Sequence, residues 1–450
     1  MSFFLSAVPF FLFGTGIFYV LRLRGFFLLH PVRCTRLLFT KGSRDGISPF
    51  KALTVALAGT LGVGNIVGVA SALYLGGPGA VLWMLVSALV AMVLKYAEIT
   101  LALRHRRTTP DGRPFGGAPY YIRDGLAKAG LPASGRITAV IFALLCLLNA
   151  LTMGSLLQVN AVAGALAESF RIPPLVTGIA VAILALVTVK GGARRIGALT
   201  EKLVPFMTVG FLVACLAVLF LRRERIPAAL SSIWQDAIRP ATAGAGIGGF
   251  LLSKGMRYGV MRGLVSNEAG CGTAPMAHAS ADTDLPARQG LFGLVEVFVD
   301  TVLLCTVTAL SILVSDSGPN AYGPDAVRTA SAAFSSVLGK PAGVFFALSI
   351  LLFGVATVLC WAHYGMTCLG YLSSRPAARR LYLTAMTASL VAGAVTAPAL
   401  AWTLADLAIG IMTVFNLAVL LLMSREVAEE TAILLDRDKA RRRGKDRNTG

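Results

Sequence analysis

Charged side chains are scarce in this sequence: Asp, Glu, Lys and Arg make up 14% of its 450 residues, against 56% for hydrophobic residues. A water-soluble fold has too little core to hide this much apolar surface. The bilayer is therefore the solvent that the composition fits, and the mean hydropathy of +0.74 agrees with it. Long apolar runs must then be helices, because hydrocarbon offers no partner to a free backbone N–H or C=O.

The residues that build catalytic and metal sites are also few. There are four histidines and seven cysteines, and the cysteines are scattered singly without a Cys-x-x-Cys pair. This pattern indicates neither a disulfide framework nor a metal centre. Because no nucleophile beside a base and no phosphate-binding loop are apparent, we expect neither an enzyme nor a bound cofactor.

Basic residues are plentiful, and their placement predicts topology. A net charge of +19 would suit a nucleic-acid partner, but most of the 41 Lys and Arg residues lie in alternate loops between apolar stretches. Such an excess marks the cytoplasmic side of a membrane protein, so no nucleic-acid partner is expected. The pattern predicts a multi-pass protein of the inner (plasma) membrane with its N-terminus outside and its C-terminus in the cytoplasm. Arg222, Arg223 and Arg225 are exceptions that fall outside.

The apolar stretches predict an all-α membrane protein with about 11 transmembrane helices. The first stretch follows no basic residue and has no small-residue cleavage site, so we interpret it as a retained span. In a window of about 19 residues, the spans lie near 4–21, 52–75, 80–103, 137–168, 174–189, 200–221, 240–262, 289–315, 341–372, 381–398 and 402–423.

Two glycine clusters are denser than the close packing of membrane helices requires. One occupies 59–64 in the second span and the other 244–249 in the seventh. With the first span set aside, they open two successive groups of five spans, and an odd number of spans inverts the second group relative to the first. The pattern predicts a 5+5 inverted repeat with two broken helices, as in secondary transporters.

These groups define four predicted units. An extra N-terminal span with its basic loop occupies 1–50, and a basic cytoplasmic tail, expected to be disordered, occupies 425–450. The two five-helix repeats occupy 51–221 and 222–424.

A broken helix offers two kinds of backbone group to a ligand. The unpaired N–H groups at the start of a half-helix attract a carboxylate, and the freed carbonyls at the other end coordinate a hard cation. An amino acid and Na⁺ together fit such a site. Asn65, directly after the first cluster, is placed either to accept from a substrate ammonium or to cap the half-helix. Channels and membrane enzymes also contain broken helices.

Several long motifs occur in order between about residues 10 and 430. They are Ala-Gly-Thr-Leu-Gly-Val-Gly-Asn-Ile-Val-Gly-Val-Ala at 58–70, Leu-Gly-Gly-Pro-Gly-Ala at 75–80, Lys-Tyr-Ala-Glu at 95–98, Gly-Ala-Pro-Tyr-Tyr-Ile at 117–122, Arg-Gly-Leu-Val-Ser-Asn-Glu-Ala-Gly at 262–270 and Ala-Pro-Met-Ala-His at 274–278. In these motifs the chain resembles the alanine or glycine:cation symporter family, which has the leucine-transporter-type inverted repeat. The chain departs from the family at Val63, where Thr is usual, at Cys271, where Leu is usual, and at Ala356, where Ser is usual before Thr357.

The resemblance implies two ligand sites. The cation site consists of carbonyls of the first break and a hydroxyl on the eighth of the ten repeat helices, which is the ninth span. Its residues are Ala58, Gly59, Gly62 and Thr357. The substrate site, in which Trp361 would wall a pocket for a methyl or hydrogen side chain, consists of Gly62, Val63, Gly64, Asn65, Gln158, Gly248, Gly249 and Trp361.

Each of these side chains also has a purely structural interpretation. Thr357 would bond back to its own helix, Gln158 would form an interhelical hydrogen bond, and Trp361 would face lipid. A set of residues after the second broken helix resembles a gate or hinge, with a capping network as the alternative: Ser266, Asn267, Glu268 and Gly270.

Ionisable residues within spans are candidates for function. Lys95 and Glu98 are three apart on one helix face and would most simply neutralise each other. Asp300 lies near a span middle, where it would bind a proton or pair with a base.

Together these features predict symport of a small neutral amino acid, alanine or glycine, with Na⁺ or H⁺, by alternating access. Na⁺ is the favoured ion, and no metal beyond Na⁺ is expected. Two alternatives have no coupled transport: a channel, and a membrane sensor that binds an amino acid.

The predicted topology is testable with fusion reporters at both ends of the chain. A reporter that is active only in the cytoplasm should give signal after residue 450 and none before residue 1, because the basic loops hold their side of the membrane in the cytoplasm. A silent C-terminal fusion would show that the predicted number of spans is wrong.

Overall fold

The computed structural model describes residues 2–38, 48–108, 114–239 and 253–446. These residues are almost entirely helical, apart from one short antiparallel ribbon of β1 (Arg107–Thr108) and β2 (Pro114–Phe115). In the first half of the chain the helices are α1 (Ser2–Arg22), α2 (Phe26–Leu29), α3 (Pro31–Leu38), α4 (Pro49–Thr60), α5 (Val67–Gly76), α6 (Ala80–Arg104), α7 (Ala118–Lys128), α8 (Pro132–Leu151), α9 (Gln158–Phe170), α10 (Pro174–Lys190), α11 (Gly192–Leu221) and α12 (Ile226–Ala237).

The second half continues the helical pattern. Its helices are α13 (Lys254–Asn267), α14 (Ala274–His278), α15 (Pro286–Val297), α16 (Thr306–Val314), α17 (Ala326–Leu338), α18 (Pro341–Leu372), α19 (Pro376–Val395), α20 (Pro398–Leu422) and α21 (Ser424–Asp446). Short π-helical turns join α8 to α9 at Thr152–Leu157 and α15 to α16 at Phe298–Cys305, and 3₁₀ turns lie at Val63–Asn65 and Arg223–Arg225.

The prediction of an all-α membrane protein is confirmed at this level. Within the described residues, six helices are long and apolar enough to cross a bilayer, and three further apolar helices are shorter. The six are Ala80–Arg104, Pro132–Phe170, Arg195–Leu221, Pro286–Val314, Pro341–Leu372 and Pro398–Leu422. The number of eleven spans and the inverted repeat stay predictions.

Helix α18 lies at the centre of the bundle. Its most apolar window is 67% buried, whereas that of the helix ending at Leu221 is 28% buried. Helix α18 packs against α4, α8, α9, α11 and α17. Because α18 is apolar on all faces, burial is the expected outcome for it.

The first break separates α4 from α5 at the glycine cluster that the sequence indicated. Helix α4 ends at Thr60, a 3₁₀ turn covers Val63–Asn65, and α5 begins at Val67. Glycine is required at two points of close approach. A Cβ on Gly62 would lie 2.6 Å from Thr357 Oγ1, and a Cβ on Gly64 would lie 3.3 Å from Ser266 Cα.

The second break that the structure describes was not predicted from the sequence. The predicted one, at the glycine cluster 244–249 with Gly248 and Gly249, lies outside the described residues. In the described part of the chain, α13 ends at Asn267 and α14 begins at Ala274. Between them the backbone is left-handed three times, at Glu268 (φ 53°), Gly270 (φ 83°) and Gly272 (φ 80°), and alternating left-handed residues cannot continue a helix.

The basic residues that did not fit the predicted topology have an acidic partner. Arg222 lies 2.5 Å and Arg225 lies 2.8 Å from the carboxylate of Asp316, which follows α16. The hydrogen bond from Arg222 holds the pKa of Asp316 below its ordinary value. The pairing reduces the local positive charge outside the spans.

The expectation of a disordered tail from residue 425 is wrong for most of that segment, because α21 occupies Ser424–Asp446. Arg104 at the end of α6 makes ion pairs with three carboxylates of α21, those of Glu426, Glu429 and Glu430. The buried hydroxyls of Tyr96 and Thr431 lie 2.7 Å apart. The acidic first half of α21, which charge counting over the whole tail obscured, therefore docks the helix on α6.

Candidate functional site

The four predicted cation-site residues come together where α18 crosses the first break. Thr357 Oγ1 donates to the carbonyl oxygen of Ala58 at 3.2 Å, and the Thr357 residue is 1% exposed. Because the acceptor belongs to α4, the hydroxyl does not bond back to its own helix. Gly59 and Gly62 lie against the same face of α18, where a Cβ would lie 2.8 Å from the Tyr364 hydroxyl and 2.6 Å from Thr357 Oγ1, respectively.

The side chain of Gln158, from α9, reaches the first break just before α5. Its Oε1 accepts from the backbone N–H of Val63 at 3.1 Å, and its Nε2 donates to the carbonyl of Met153 at 3.2 Å. The interhelical hydrogen bond is therefore formed, and its donor is one of the free N–H groups of the break. In contrast, Asn160 donates to the carbonyl of Gly393 at 2.9 Å, away from the break.

Asn65 caps the first break and links it to the second. Its Oδ1 accepts from the Gly62 N–H at 3.0 Å, which satisfies the capping interpretation. Its Nδ2 donates to Ser266 Oγ at 2.9 Å and to Asp300 Oδ1 at 2.5 Å. Gly64 also approaches the backbone of Ser266, so the first break packs against the last turn of α13, next to the second break.

Trp361 is fully buried in the bundle and does not face lipid. Its Nε1 donates to Glu268 Oε1 at 2.7 Å, and Glu268 also accepts from Thr273 Oγ1 at 2.7 Å. Gly154, in the π-helical turn between α8 and α9, lies directly against the indole: a Cβ there would be 2.3 Å from Trp361 Cβ. The indole thus fills the space between that turn and the second break.

The predicted gate residues form a capping network around the second break. Ser266 Oγ donates to Asp300 Oδ2 at 2.8 Å, and Asn267 Oδ1 accepts from the N–H of Ala269 at 3.0 Å. The carbonyl of Gly270 accepts from Asn416 on α20 at 2.9 Å. These bonds satisfy backbone groups that a membrane interior cannot solvate, and a gating role for the same residues stays a prediction.

The expected pairing of Lys95 with Glu98 is wrong. Lys95 Nζ lies 3.1 Å from Glu296 Oε1 and donates to the carbonyl of Asn267 at 2.7 Å. Glu98 Oε1 instead accepts from the N–H of Gly272 at 2.7 Å. Both side chains turn toward the second break, because its free carbonyl and N–H groups offer them buried hydrogen bonds that a pair within one helix would leave unmade.

Sequence reasoning missed two polar residues that complete this arrangement. Asn416 donates to Glu98 Oε1 at 2.7 Å, and its Oδ1 accepts from the Tyr121 hydroxyl at 2.6 Å. Both residues are fully buried. Tyr121 lies in one of the quoted family motifs, whereas a single Asn in the apolar stretch of α20 gave no signal.

Three buried carboxylates near the breaks have no basic ion-pair partner among the described residues. Lys95 pairs with Glu296, and Arg262 pairs with Asp406. The remaining three are fully buried: Glu98, Glu268 and Asp300. Since an isolated charge in a low-dielectric interior is costly, such groups favour either a proton or a nearby cation.

The three departures from the family pattern are all buried. Val63 contributes its backbone N–H to Gln158, a contact that does not depend on its side chain. Cys271 Sγ lies 3.1 Å from Thr413 Oγ1, so a polar contact occupies that position in the second break. Ala356 leaves Thr357 as the single hydroxyl of that pair.

These observations define a multi-pass helical membrane protein with buried polar groups at two helix breaks. A solved manganese transporter from Eremococcus coleocola has a similar fold, with a TM-score of 0.50, 17% identity, and coverage of 85% of this chain and 79% of that one.

The family follows from sequence comparison. The model of the sodium:alanine symporter family matches residues 2–448, and this chain belongs to that family. The sodium/alanine symporter AgcS of Methanococcus maripaludis is 38% identical over 427 residues, which cover 93% of this chain and 92% of that protein. A probable sodium/glutamine symporter, GlnT of Bacillus subtilis, is 34% identical and covers 96% and 87%. The predicted family is confirmed, and so is the prediction of a transporter and not an enzyme.

The contact between Gly154 and Trp361 gives a test of this site. Gly154→Ala should displace the indole from Glu268, because the new Cβ would overlap Trp361 Cβ. Overpacking of this kind costs about 1–3 kcal/mol, so we expect a lower midpoint of thermal unfolding and a large loss of uptake.

Gly164→Ala is the matched control on the following helix. Its Cβ would meet Val327 at 3.8 Å, an ordinary contact, and uptake should be unchanged. Wild-type uptake by the Gly154→Ala variant would contradict the described position of Trp361.

Proposed function

We propose that the chain carries a small neutral amino acid, alanine or glycine, into the cell together with Na⁺ by alternating access. The observation that carries the proposal is the meeting of Thr357 Oγ1 with the Ala58 carbonyl across the first break. The family and the printed name of AgcS agree with it.

The proposed cation site uses neutral oxygen ligands. Carbonyls of Ala58, Gly59 and Gly62 and the hydroxyl of Thr357 are hard donors of the kind that Na⁺ accepts, and a site with few neutral ligands holds its ion weakly enough to release it. The hydroxyl hydrogen now points at the Ala58 carbonyl, so a bound ion would take over both oxygens. The unpaired carboxylates Glu268 and Asp300 favour a positive ion in this region through the low dielectric.

The proposed substrate site uses the start of the second half-helix. The N–H groups of Val63 and Gly64 suit a substrate carboxylate, because a helix start attracts negative charge. Gln158 now accepts from the Val63 N–H. On substrate binding, its amide would either release that N–H to the substrate carboxylate or rotate and bind the substrate itself. Gly62 and Asn65 would complete the site, and the proposed contribution of Gly248 and Gly249 falls on residues outside the described part.

The proposed pocket is small. Trp361 is held on one side by Glu268 and on the other by Gly154, which leaves little freedom for the indole to move aside. A pocket with a fixed aromatic wall discriminates by size. Ser266, Asn267, Glu268 and Gly270 would act as the gate. Ser266 accepts from Asn65 of the first break and Glu268 accepts from Trp361, and these bonds would have to change when the site opens.

The cation-site prediction concerns one hydroxyl. Thr357→Val keeps the shape of the side chain and removes the ligand, so the Na⁺ concentration for half-maximal uptake should rise at least tenfold, or about 1.4 kcal/mol. By linkage, apparent alanine affinity should fall at low Na⁺ and recover at high Na⁺. Uptake into proteoliposomes over a Na⁺ titration measures both.

Two matched variants accompany this test. Thr357→Ser keeps the hydroxyl and should be nearly silent. Thr367→Val, on the same helix, removes a hydroxyl that bonds back to His363 O at 2.9 Å and should leave the Na⁺ dependence unchanged. An unaltered Na⁺ dependence in Thr357→Val would show that the cation site lies elsewhere, and uptake driven by a proton gradient alone would favour Asp300 or Glu296 as the coupling group.

The small-pocket prediction concerns competing substrates. Glycine in excess should suppress uptake of labelled alanine, whereas leucine and arginine should not, because Trp361 leaves room for little beyond a methyl group. Glutamine belongs in the same panel, since one relative is a probable glutamine symporter. Strong inhibition by equimolar leucine or glutamine would contradict the small pocket. Saturation and net accumulation of alanine in the same assay separate a symporter from a channel or a sensor.

A further inference from the structure

A chain of four buried polar side chains connects the second break to the first residue of α4. Lys95 Nζ donates to the Asn267 carbonyl at the end of α13 and lies 3.1 Å from Glu296 Oε1. The other oxygen of Glu296 lies 3.2 Å from His278 Nε2. The four side chains are fully buried: Lys95, Glu296, His278 and Gln289.

This series of hydrogen-bonded side chains ends at the start of the first broken helix. Gln289 Nε2 lies 2.8 Å from His278 Nδ1 and donates to the carbonyl of Pro49 at 3.3 Å. Pro49 is the first residue of α4, and Ala58 of the proposed cation site lies in the last turn of the same short helix. The hydrogen-bonded series that contains His278 and the proposed cation site therefore contact opposite ends of the same short helix.

These contacts fit one protonation state of His278. Because the amide nitrogen of Gln289 only donates, His278 Nδ1 must accept, and the proton of the neutral imidazole lies on Nε2 and is donated to Glu296. A second proton on Nδ1 would place two donors face to face. The described arrangement is thus that of the neutral ring, and it stops being satisfied when the ring is protonated.

Gln289 carries the acceptor that the protonated ring would need. Its Oε1 is buried and has no hydrogen-bond partner among the described residues. Rotation of the amide would turn Oε1 toward Nδ1–H of His278, but it would also withdraw Nε2 from the Pro49 carbonyl. Protonation of His278 therefore preserves its hydrogen bond to Gln289 only if the bond from Gln289 to α4 is lost.

The charges around His278 come from every helix that packs beside it. Glu296 faces the ring directly through Oε2. Lys95 forms an ion pair with the other oxygen, Oε1, of the same carboxylate. The titratable residues on the packed helices are Lys95, Tyr96, Glu98 and Arg104 on α6, Arg288 and Glu296 on α15, Lys51 on α4, and Cys360, His363, Tyr364, Cys368 and Tyr371 on α18.

We propose that His278 is a proton-binding site, separate from the cation site at Thr357, and that its protonation weakens cation binding by releasing the first residue of α4. The inference rests on the proposed Na⁺ coupling. It is a thermodynamic linkage, so bound Na⁺ must weaken proton binding by the same factor. Histidine is the side chain suited to such a role near neutral pH.

The test measures binding of radioactive Na⁺ to the purified full-length protein in detergent, where pH acts on both faces at once. In the wild type, the Na⁺ concentration for half-saturation should rise at least fivefold between pH 8 and pH 5.5, the lower end of typical coupling between two sites. His278→Gln cannot take the proton but can still donate and accept, so its half-saturation should stay at the wild-type pH 8 value throughout.

Gln289→Leu should shift the Na⁺ concentration for half-saturation in the opposite direction from His278→Gln. It removes the bond to Pro49 at every pH, so half-saturation should be independent of pH and fixed at the weaker wild-type pH 5.5 value. This variant decides the question if His278→Gln does not fold. His363→Gln and His105→Gln are the matched controls, and both should keep the wild-type pH dependence.

Na⁺ binding that is saturable but independent of pH in the wild type would overturn the role of His278 and leave the symport proposal standing. The same holds if His278→Gln keeps the pH dependence, or if Gln289→Leu retains both the wild-type pH 8 affinity and the pH dependence. Absence of saturable Na⁺ binding at every pH would overturn the proposed Na⁺ coupling itself.

Discussion

An interrupted helix in a membrane leaves backbone groups that lipid cannot satisfy, and the arrangement of this bundle follows from how those groups are paired. At the first break, Asn65 takes the Gly62 N–H, Gln158 takes the Val63 N–H, and Thr357 takes the Ala58 carbonyl. These partners come from the break itself, α9 and α18. Each is a single side-chain bond, and the proposed ligands would replace the bonds of Gln158 and Thr357.

Electrostatics point in the same direction. Lys95 compensates Glu296 and Arg262 compensates Asp406, while Glu98, Glu268 and Asp300 are held by hydrogen bonds without ion pairs in the described part of the chain. The region of the two breaks therefore carries more buried acid than base. A mobile cation would complement such an excess, and the neutral oxygens around Thr357 are its proposed ligands.

The first break was predictable because its signal is local, a dense glycine cluster. The glycines at 62 and 64 are required by close contacts with α18 and α13, and the cluster stands out in an apolar span. The second break that the structure describes depends on left-handed backbone at Glu268, Gly270 and Gly272. This spacing gives no dense glycine cluster and was not predicted from the sequence.

Pairings between distant helices were also beyond local reasoning. Lys95 and Glu98 share a helix face, but α15 and the second break, which sequence alone does not position, supply their partners. Likewise, the acidic residues that dock α21 on Arg104 were hidden by the basic end of the tail. The role of Thr357 was predicted from the family resemblance, and the structure adds that its hydroxyl reaches across to α4.

The central claim is that a cation bound at the first break drives uptake of a small amino acid. Its most direct measurement is uptake of labelled alanine by proteoliposomes with an inward Na⁺ gradient, compared with equal Na⁺ on both sides and with choline replacing Na⁺. The account predicts accumulation above the external concentration under the gradient, equilibration only with equal Na⁺, and little uptake in choline. Equal uptake under all three conditions would contradict it.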